Sequence, residues 1–282
     1  MQVAIVGPYP LDTERLGGVE VAIVYVQREL VKIPGLKLHI ITCKEQLDAP
    51  RQVERDGATV TYLPRARMGR LTAHRREIAA MAGVLHKLQP DIVHAHGSGL
   101  YAGAALAVPY PSVLTVHGIV SQEAKLLTEW RARLRASLDV RYERSVIRRT
   151  RHLMLITPYV AQVFEGLFHG TSYLVENACD ERFFQVERRP VAGRLLFAGP
   201  VIPRKGVLPL VRALAQVRQA VPEAHLRVAG SLTTAPAYVA ACQEAARNLG
   251  LAESVPFLGH LTQEQVLEEY ATCAAFVLPS FQ

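Results

Sequence analysis

The sequence predicts an α/β protein of two Rossmann-like, doubly wound domains, the second incomplete beside the first. Short apolar runs alternate with longer stretches of helical periodicity from the N-terminus onward. A charged, aperiodic segment interrupts that alternation, and the same alternation restarts after it. Strands that alternate with helices predict parallel sheets covered on both faces.

Residues 3–6 (VAIV) are unbroken apolar character and predict the first strand, and 18–32 predicts the first helix. Strands follow at 36–42 and 58–63, rich in Ile, Thr, Val and Tyr, which suit a pleated surface. A helix is expected at 73–88, a strand at 91–95, a small-residue helix at 99–107 and a strand at 112–116. One long helical region is expected over 121–149, then a strand at 153–156, a helix at 159–168 and a strand at 172–175. These elements make a first domain of residues 1–179. Segment 180–193 (DERFFQVERRPVAG) carries charge, a proline and a glycine but no period, and predicts a linker. The second domain, 194–282, has strands at 195–198, 225–229, 255–258 and 275–278. Its helices are expected at 207–221, 236–249 and 263–273. Four strands fall short of the about six of a full dinucleotide-type sheet.

The chain has 282 residues, half of them hydrophobic, and a net charge of +7. That composition supports real cores, and the charge favours an acidic partner such as phosphate or anionic lipid. Cys43, Cys179, Cys242 and Cys273 are scattered, without the paired spacing of a zinc site or a disulfide framework. The start, MQVAIVGPYP, has no charged region and only a short apolar run, so no secretory signal is expected. No stretch approaches the ~20 apolar residues of a membrane span. A cytoplasmic protein follows as the expectation. A solute-binding protein is disfavoured because no export signal is seen, and a dehydrogenase or epimerase because GxGxxG is missing.

The stretch FAGPVIPRKG, 197–206, concentrates chemistry. Gly199 ends a buried strand, and Arg204 and Lys205 stand just before an amphipathic helix. Two fixed cations beside the free N–H groups of a helix N-terminus suit a diphosphate. Gly17 and Gly18 sit between the first strand and the first helix, where backbone can approach a phosphate closely. His117 ends a predicted strand, where doubly wound folds bind ligands. His94 and His96 alternate along a strand and should share a face. Two histidines without a third protein ligand do not make a zinc site, so no metal is expected. Glu123 and Lys125 stand either in the acceptor region or merely in the first turn of a helix. Arginines crowd 65–76 and 131–151, and Leu127, Trp130, Leu134 and Leu138 run at helical spacing through the second group. That pattern fits a basic amphipathic helix for an anionic membrane surface or an acidic acceptor. The alternative is a core-facing stripe with a solvated opposite face. No nucleic-acid motif or row of stacking aromatics accompanies the charge, so nucleic acid is not expected.

Eight blocks in order resemble the family-4 retaining glycosyltransferases of the GT-B fold. They are GGVE at 17–20, DIVHAHG at 91–97, TVHG at 115–118, NACD at 177–180 with Phe183 and Phe184, and FAGPVIPRKG at 197–206. LRVAG at 226–230, VPFLGH at 255–260 and AFVLPS at 275–280 complete the set. The resemblance implies metal-independent transfer of a hexose from a nucleotide-diphosphate sugar to a glycan or lipid-linked acceptor, with retention and no further cofactor. It implies that His117 faces the donor sugar, and that Gly17, Gly18, Arg204, Lys205, Gly230, Gly259 and His260 bind the donor. The first domain would hold the acceptor and the second the nucleotide. Pro200 stands where the family usually has an arginine, so Arg204 must supply that diphosphate contact or it is lost. The family's glutamate-bearing loop should follow Pro279 and Ser280, so the resemblance also implies a chain cut short and catalytically incomplete. The competing expectation is a non-catalytic nucleotide-binding fragment or degenerate paralogue.

Overall fold

The computed structural model describes residues 1–11, 17–65, 73–127 and 129–281. The chain folds into two compact units, Met1–Cys179 and Asp180–Gln282.

In the first unit the described residues form a sheet of eight strands. They are β1 (Gln2–Val6), β2 (Lys37–Lys44), β3 (Arg51–Arg55), β4 (Ala58–Pro64), β5 (Ile92–His96), β6 (Ser112–Val116), β7 (His152–Leu155) and β8 (Thr171–Leu174). Their spatial order is β3-β4-β2-β1-β5-β6-β7-β8. Every neighbouring pair is parallel except the β3–β4 hairpin. The helices are α1 (Gly18–Leu30), α2 (Ala73–Leu88), α3 (Leu100–Ala105), α4 (Val120–Glu123), α5 (Trp130–Arg149) and α6 (Pro158–Val163). β1 shows why its sequence is an unbroken apolar run. Ala4 and Val6 enter one core with residues of α2, α3, α5 and α6, while Val3 and Ile5 enter another with Ile23 of α1. A strand buried on both faces has no polar side to alternate.

The chain leaves β1 for β2 on one side and returns to place β5 on the other. The carboxyl ends of β1 and β5 therefore flank a topological switch point, where open α/β sheets bind ligands.

The second unit repeats this plan with β9 (Arg194–Ala198), β10 (His225–Ala229), β11 (Phe257–Gly259) and β12 (Ala275–Phe276). The order is β11-β10-β9-β12, all parallel, so the switch point lies beside β9. Its helices are α7 (Val207–Ala220), α8 (Pro236–Asn248) and α9 (Gln263–Thr272). Thr262 and Gln265 close a reciprocal capping box on α9. Glu269 of α9 accepts from Arg227 of β10 at 2.6 and 2.7 Å and from Arg194 of β9 at 3.0 Å. Burial would raise this carboxyl, but the two guanidiniums hold it below its usual range.

Two expectations are corrected, and one strand is added. The region 121–149 is not one helix: α4 runs into a 3₁₀ turn, Ala124–Leu126, and Leu127 is extended before α5 begins. The segment 180–193 is not a free linker but part of the second unit. Arg189 N–H donates to Ala271 O at 2.7 Å, Val191 N–H to Thr272 O at 2.9 Å, and the Arg188 guanidinium to Cys273 O at 2.8 Å. Backbone N–H groups and one guanidinium tie it to the end of α9, which no periodicity reveals. Strand β3 went unforeseen because RQVER is polar, yet Asp56 (φ 46°) and Gly57 (φ 80°) form the tight turn that a DG pair signals.

Candidate functional site

In the first unit, β5 and β6 lie side by side, with His94 paired in register to Val113 and His96 to Thr115. His94 and His96 share a face, as period-two alternation requires, with ring centroids 4.1 Å apart. His117 follows β6 directly, and its ring stacks on His96 at 5.1 Å. His96 Nδ1 and His117 Nε2 are 2.8 Å apart, and His94 Nε2 is 2.7 Å from Thr115 Oγ1. His96 is 2% exposed. Burial pushes His117 down to about 4 from its ordinary 6.5. Burial and then His117 push His94 to about 4, and burial, His94 and His117 push His96 to about 2. All three rings are neutral at pH 7. One nitrogen of each ring is engaged, His96 Nδ1 with His117 Nε2 and His94 Nε2 with Thr115, while His96 Nε2 is buried without a partner. Among the described residues no cluster of His, Cys, Asp and Glu is arranged to hold a metal.

The loop after His117 is held by a carboxylate from α5. Glu143 of α5 is 1% exposed. Its Oε1 accepts from Val120 N–H at 2.8 Å and from Ser98 Oγ at 3.1 Å, and its Oε2 accepts from Ser121 N–H at 2.9 Å. One carboxylate thus caps α4 and joins the loops that follow β5 and β6. Two backbone N–H groups and a hydroxyl replace the water it loses. The signal was present: Glu143 lies in helical phase with buried Val146 and Ile147 on an otherwise arginine-rich helix. A lone acid in an apolar phase is a buried group that needs donors.

Gly17 caps α1 at φ −84° and ψ 173°. Any residue adopts that backbone, so the glycine pair contributes close approach rather than a left-handed turn. Glu123 lies at the end of α4, beside a hollow between α4 and α5. Lys125 points away to solvent, with its ammonium 2.9 Å from Gln122 Oε1.

In the second unit, the loops after β9, β10 and β11 lock together through backbone. Gly199 N–H donates to Ala229 O at 2.9 Å, Gly230 N–H to Gly259 O at 2.8 Å, and Val201 N–H to Ser231 O at 3.1 Å. Gly230 (φ 140°) packs so closely that a Cβ there would lie 1.8 Å from Gly199 O. After Gly199 comes a 3₁₀ turn, Pro203–Lys205, and Gly206 in the left-handed region caps α7. Arg204 and Lys205 are half-buried at this turn, and exposed His260 directly follows β11. Burial, then the adjacent Arg204, pushes the Lys205 ammonium below its ordinary range. Two cations held together beside a helix N-terminus are relieved by an anion between them.

Residues 16–183 match the sequence model described as Glycosyltransferase Family 4, and 192–282 match that described as Glycosyl transferases group 1. The chain belongs to this glycosyltransferase family. The glycosyltransferase also resembles solved structures over its whole length. Sucrose-phosphate synthase of Thermosynechococcus elongatus superposes with a TM-score of 0.78 at 16% identity, over 99% of this chain and 75% of that one. Anabaena HepE in complex with UDP and glucose gives 0.69 at 16% identity, over 99% and 74%. A trehalose-6-phosphate structure from E. coli bound with UDP-2-fluoro glucose gives 0.70 at 11% identity, over 100% and 79%. These likenesses show the fold, the GT-B fold with two Rossmann-like units. No curated protein sequence matches the glycosyltransferase.

The expected residues thus fall in two groups. Gly17, Gly18 and His117 follow strands β1 and β6 of the first unit, with Glu123 a turn beyond. Arg204, Lys205, Gly230 and His260 follow β9, β10 and β11 of the second, and Gly259 ends β11. Of the arginines in the first basic stretch, Arg67 and Arg70 lie outside the described residues. No helix among the described residues is long and apolar enough to cross a membrane.

Proposed function

We propose that this glycosyltransferase moves a hexose from a nucleotide-diphosphate sugar to a glycan or lipid-linked acceptor, with retention of configuration and without a metal. The observation that carries the reading is the pair of switch points, one edged by neutral histidines and the other by paired cations. Breaking the anomeric bond leaves negative charge on the diphosphate. Arg204, Lys205 and the N–H groups around Gly206 are suited to stabilise that charge, as fixed dipoles and cations do in other leaving-group sites. Gly230, Gly259 and His260 edge the same site. Gly17 and Gly18 bring backbone N–H groups toward the donor.

His117 is the catalytic contact in this reading. Its neutral ring suits a hydrogen bond to a sugar hydroxyl better than a fixed positive charge beside a developing oxocarbenium centre. Glu123 and Lys125 are assigned to the acceptor side. The donor is cytoplasmic, and the enzyme works at the inner membrane face where the acceptor is lipid-linked.

The test is turnover of a panel of nucleotide-diphosphate sugars with chelator present, the product anomer read by NMR. Retention is expected, with a loss on the order of 100-fold on His117→Ala. Inversion, dependence on an added divalent cation, or full activity of the variant would overturn the reading.

A further inference from the structure

Helix α5 has two unlike faces. The inner face carries Glu143, Val146 and Ile147, all buried. On the outer face Trp130, Leu134 and Leu138 are 68%, 65% and 48% exposed. Their i, i+4, i+8 spacing makes them one stripe along the helix. Leu126, in the turn before, is also exposed at 42%. The stripe that periodicity alone could assign to a core is therefore on the surface.

Exposed Arg131, Arg133, Arg135, Arg141 and Arg144 border it. The Arg131 guanidinium sits 5.3 Å from the Trp130 ring centroid. A hollow of about 280 Å³ lies between α4 and α5, with Val120, Ala124, Leu127 and Ala132 as its apolar walls and Glu123 and Arg135 at its edge.

A convex apolar ridge with an indole at one end and guanidiniums along both sides matches one environment well. Indole rings and leucines enter the acyl boundary of a bilayer, while arginine stems lie along the interface and their heads reach anionic headgroups. The chain's net charge of +7 has the complementary sign for such a surface.

We propose that the outer face of α5 is a docking surface for an anionic lipid bilayer, and that the acceptor is accordingly the lipid-linked one. The acceptor part rests on the glycosyl-transfer reading above. The docking part does not. The helix is only about 10 Å across. Its inner face holds the loop of His117 through Glu143, so a lipid-borne acceptor reaching the bilayer surface arrives within one helix of the site.

The chain contains a single tryptophan, Trp130, so the probe is built in. Its emission is followed on titration with vesicles of phosphatidylglycerol and phosphatidylcholine, with pure phosphatidylcholine vesicles and with inorganic phosphate. Nucleotide-diphosphate binding is measured on the same protein by calorimetry. Expected are a blue shift and quenching by brominated acyl chains with the anionic vesicles only, weakened about tenfold or more by raised salt.

Leu134→Gln with Leu138→Gln, both at exposed positions, should weaken lipid binding by about tenfold without altering nucleotide binding. Unshifted emission on anionic vesicles overturns the docking surface. So does an equal shift on neutral vesicles, a shift reproduced by phosphate alone, insensitivity to the leucine variants, or a concentration-dependent shift without lipid, which would mark a second copy of the chain. Docking without nucleotide binding would leave the surface standing and remove the glycosyl-transfer reading with its acceptor. Nucleotide binding without docking would do the reverse.

Discussion

In the first unit the residues at the carboxyl edge of the sheet are buried side chains that bind one another. In the second they are backbone amides and half-buried cations. His96 is fully enclosed and bonded to His117, and Glu143 fastens the next turn. Around β9 to β11 the contacts run from one main chain to another, through Gly199, Gly230 and Gly259. The difference teaches what each half suits. A neutral, rigid side-chain set can distinguish one sugar hydroxyl pattern from another. A backbone cradle with two cations holds any diphosphate.

The comparison breaks most visibly at the glycines. Gly230→Ala should cost on the order of 3–5 kcal/mol, since it combines a positive φ with an overlap that backbone must move to relieve. Gly259→Ala has the positive φ (71°) but nothing within 4 Å of the new methyl, and should cost only about 1–2 kcal/mol. Thermal unfolding of the two variants side by side checks this. Equal costs would mean that the loops after β9 and β10 do not pack as closely as described.

In the first unit, Glu143→Gln keeps the shape but sets an amide donor against N–H groups that need an acceptor. A loss of about 1–3 kcal/mol is expected, with faster exchange of the Val120 and Ser121 amides than of amides elsewhere in the sheet. Unchanged exchange at those two amides would remove Glu143 from its role as the fastening of that loop.

An effect of pH is also expected, and its three histidines lie in the first unit. His94 and His117 accept a proton only near 4 in the folded protein, and His96 lower still, while the unfolded chain accepts it near 6.5. The unfolded state therefore binds more protons below 6.5. The stabilisation is fully present above 6.5 and is lost as the pH falls from there toward 4. Denaturant midpoints across that window should decline, and His96→Asn should flatten the decline. A midpoint that rises on acidification would contradict the burial of these rings.

Most of the fold was legible because both sheets are buried on two faces, so each strand of the core writes itself as an apolar run. What escaped was polar. β3 is RQVER, and it pairs by backbone at a sheet edge where side-chain hydrophobicity is not required. Residues 180–193 are held by the backbone N–H groups of Arg189 and Val191 and the guanidinium of Arg188, which donate to carbonyls of α9 and of Cys273 just after it, contacts with no period. The break between α4 and α5 was hidden because the residues on either side keep helical composition. At the sites, the histidines and cations were visible by their places at strand ends. Glu143 was marked as a buried acid by its apolar helical phase, but its role was not, because its partners are backbone groups about twenty residues away, whose need for an acceptor no side chain advertises.

The division of labour between the two units is tested most directly by calorimetry of two ligands on two variants. The ligands are a nucleoside diphosphate and the matching nucleotide sugar; the variants are Lys205→Ala and His117→Ala. Lys205→Ala should weaken both ligands alike, by about 1–3 kcal/mol, because it removes a charged contact to the diphosphate they share. His117→Ala should leave the nucleoside diphosphate unchanged and weaken only the nucleotide sugar. A Lys205→Ala variant that binds the nucleoside diphosphate as tightly as the unaltered protein, or a His117→Ala variant that loses it, would contradict the assignment of diphosphate to the second unit and sugar to the first.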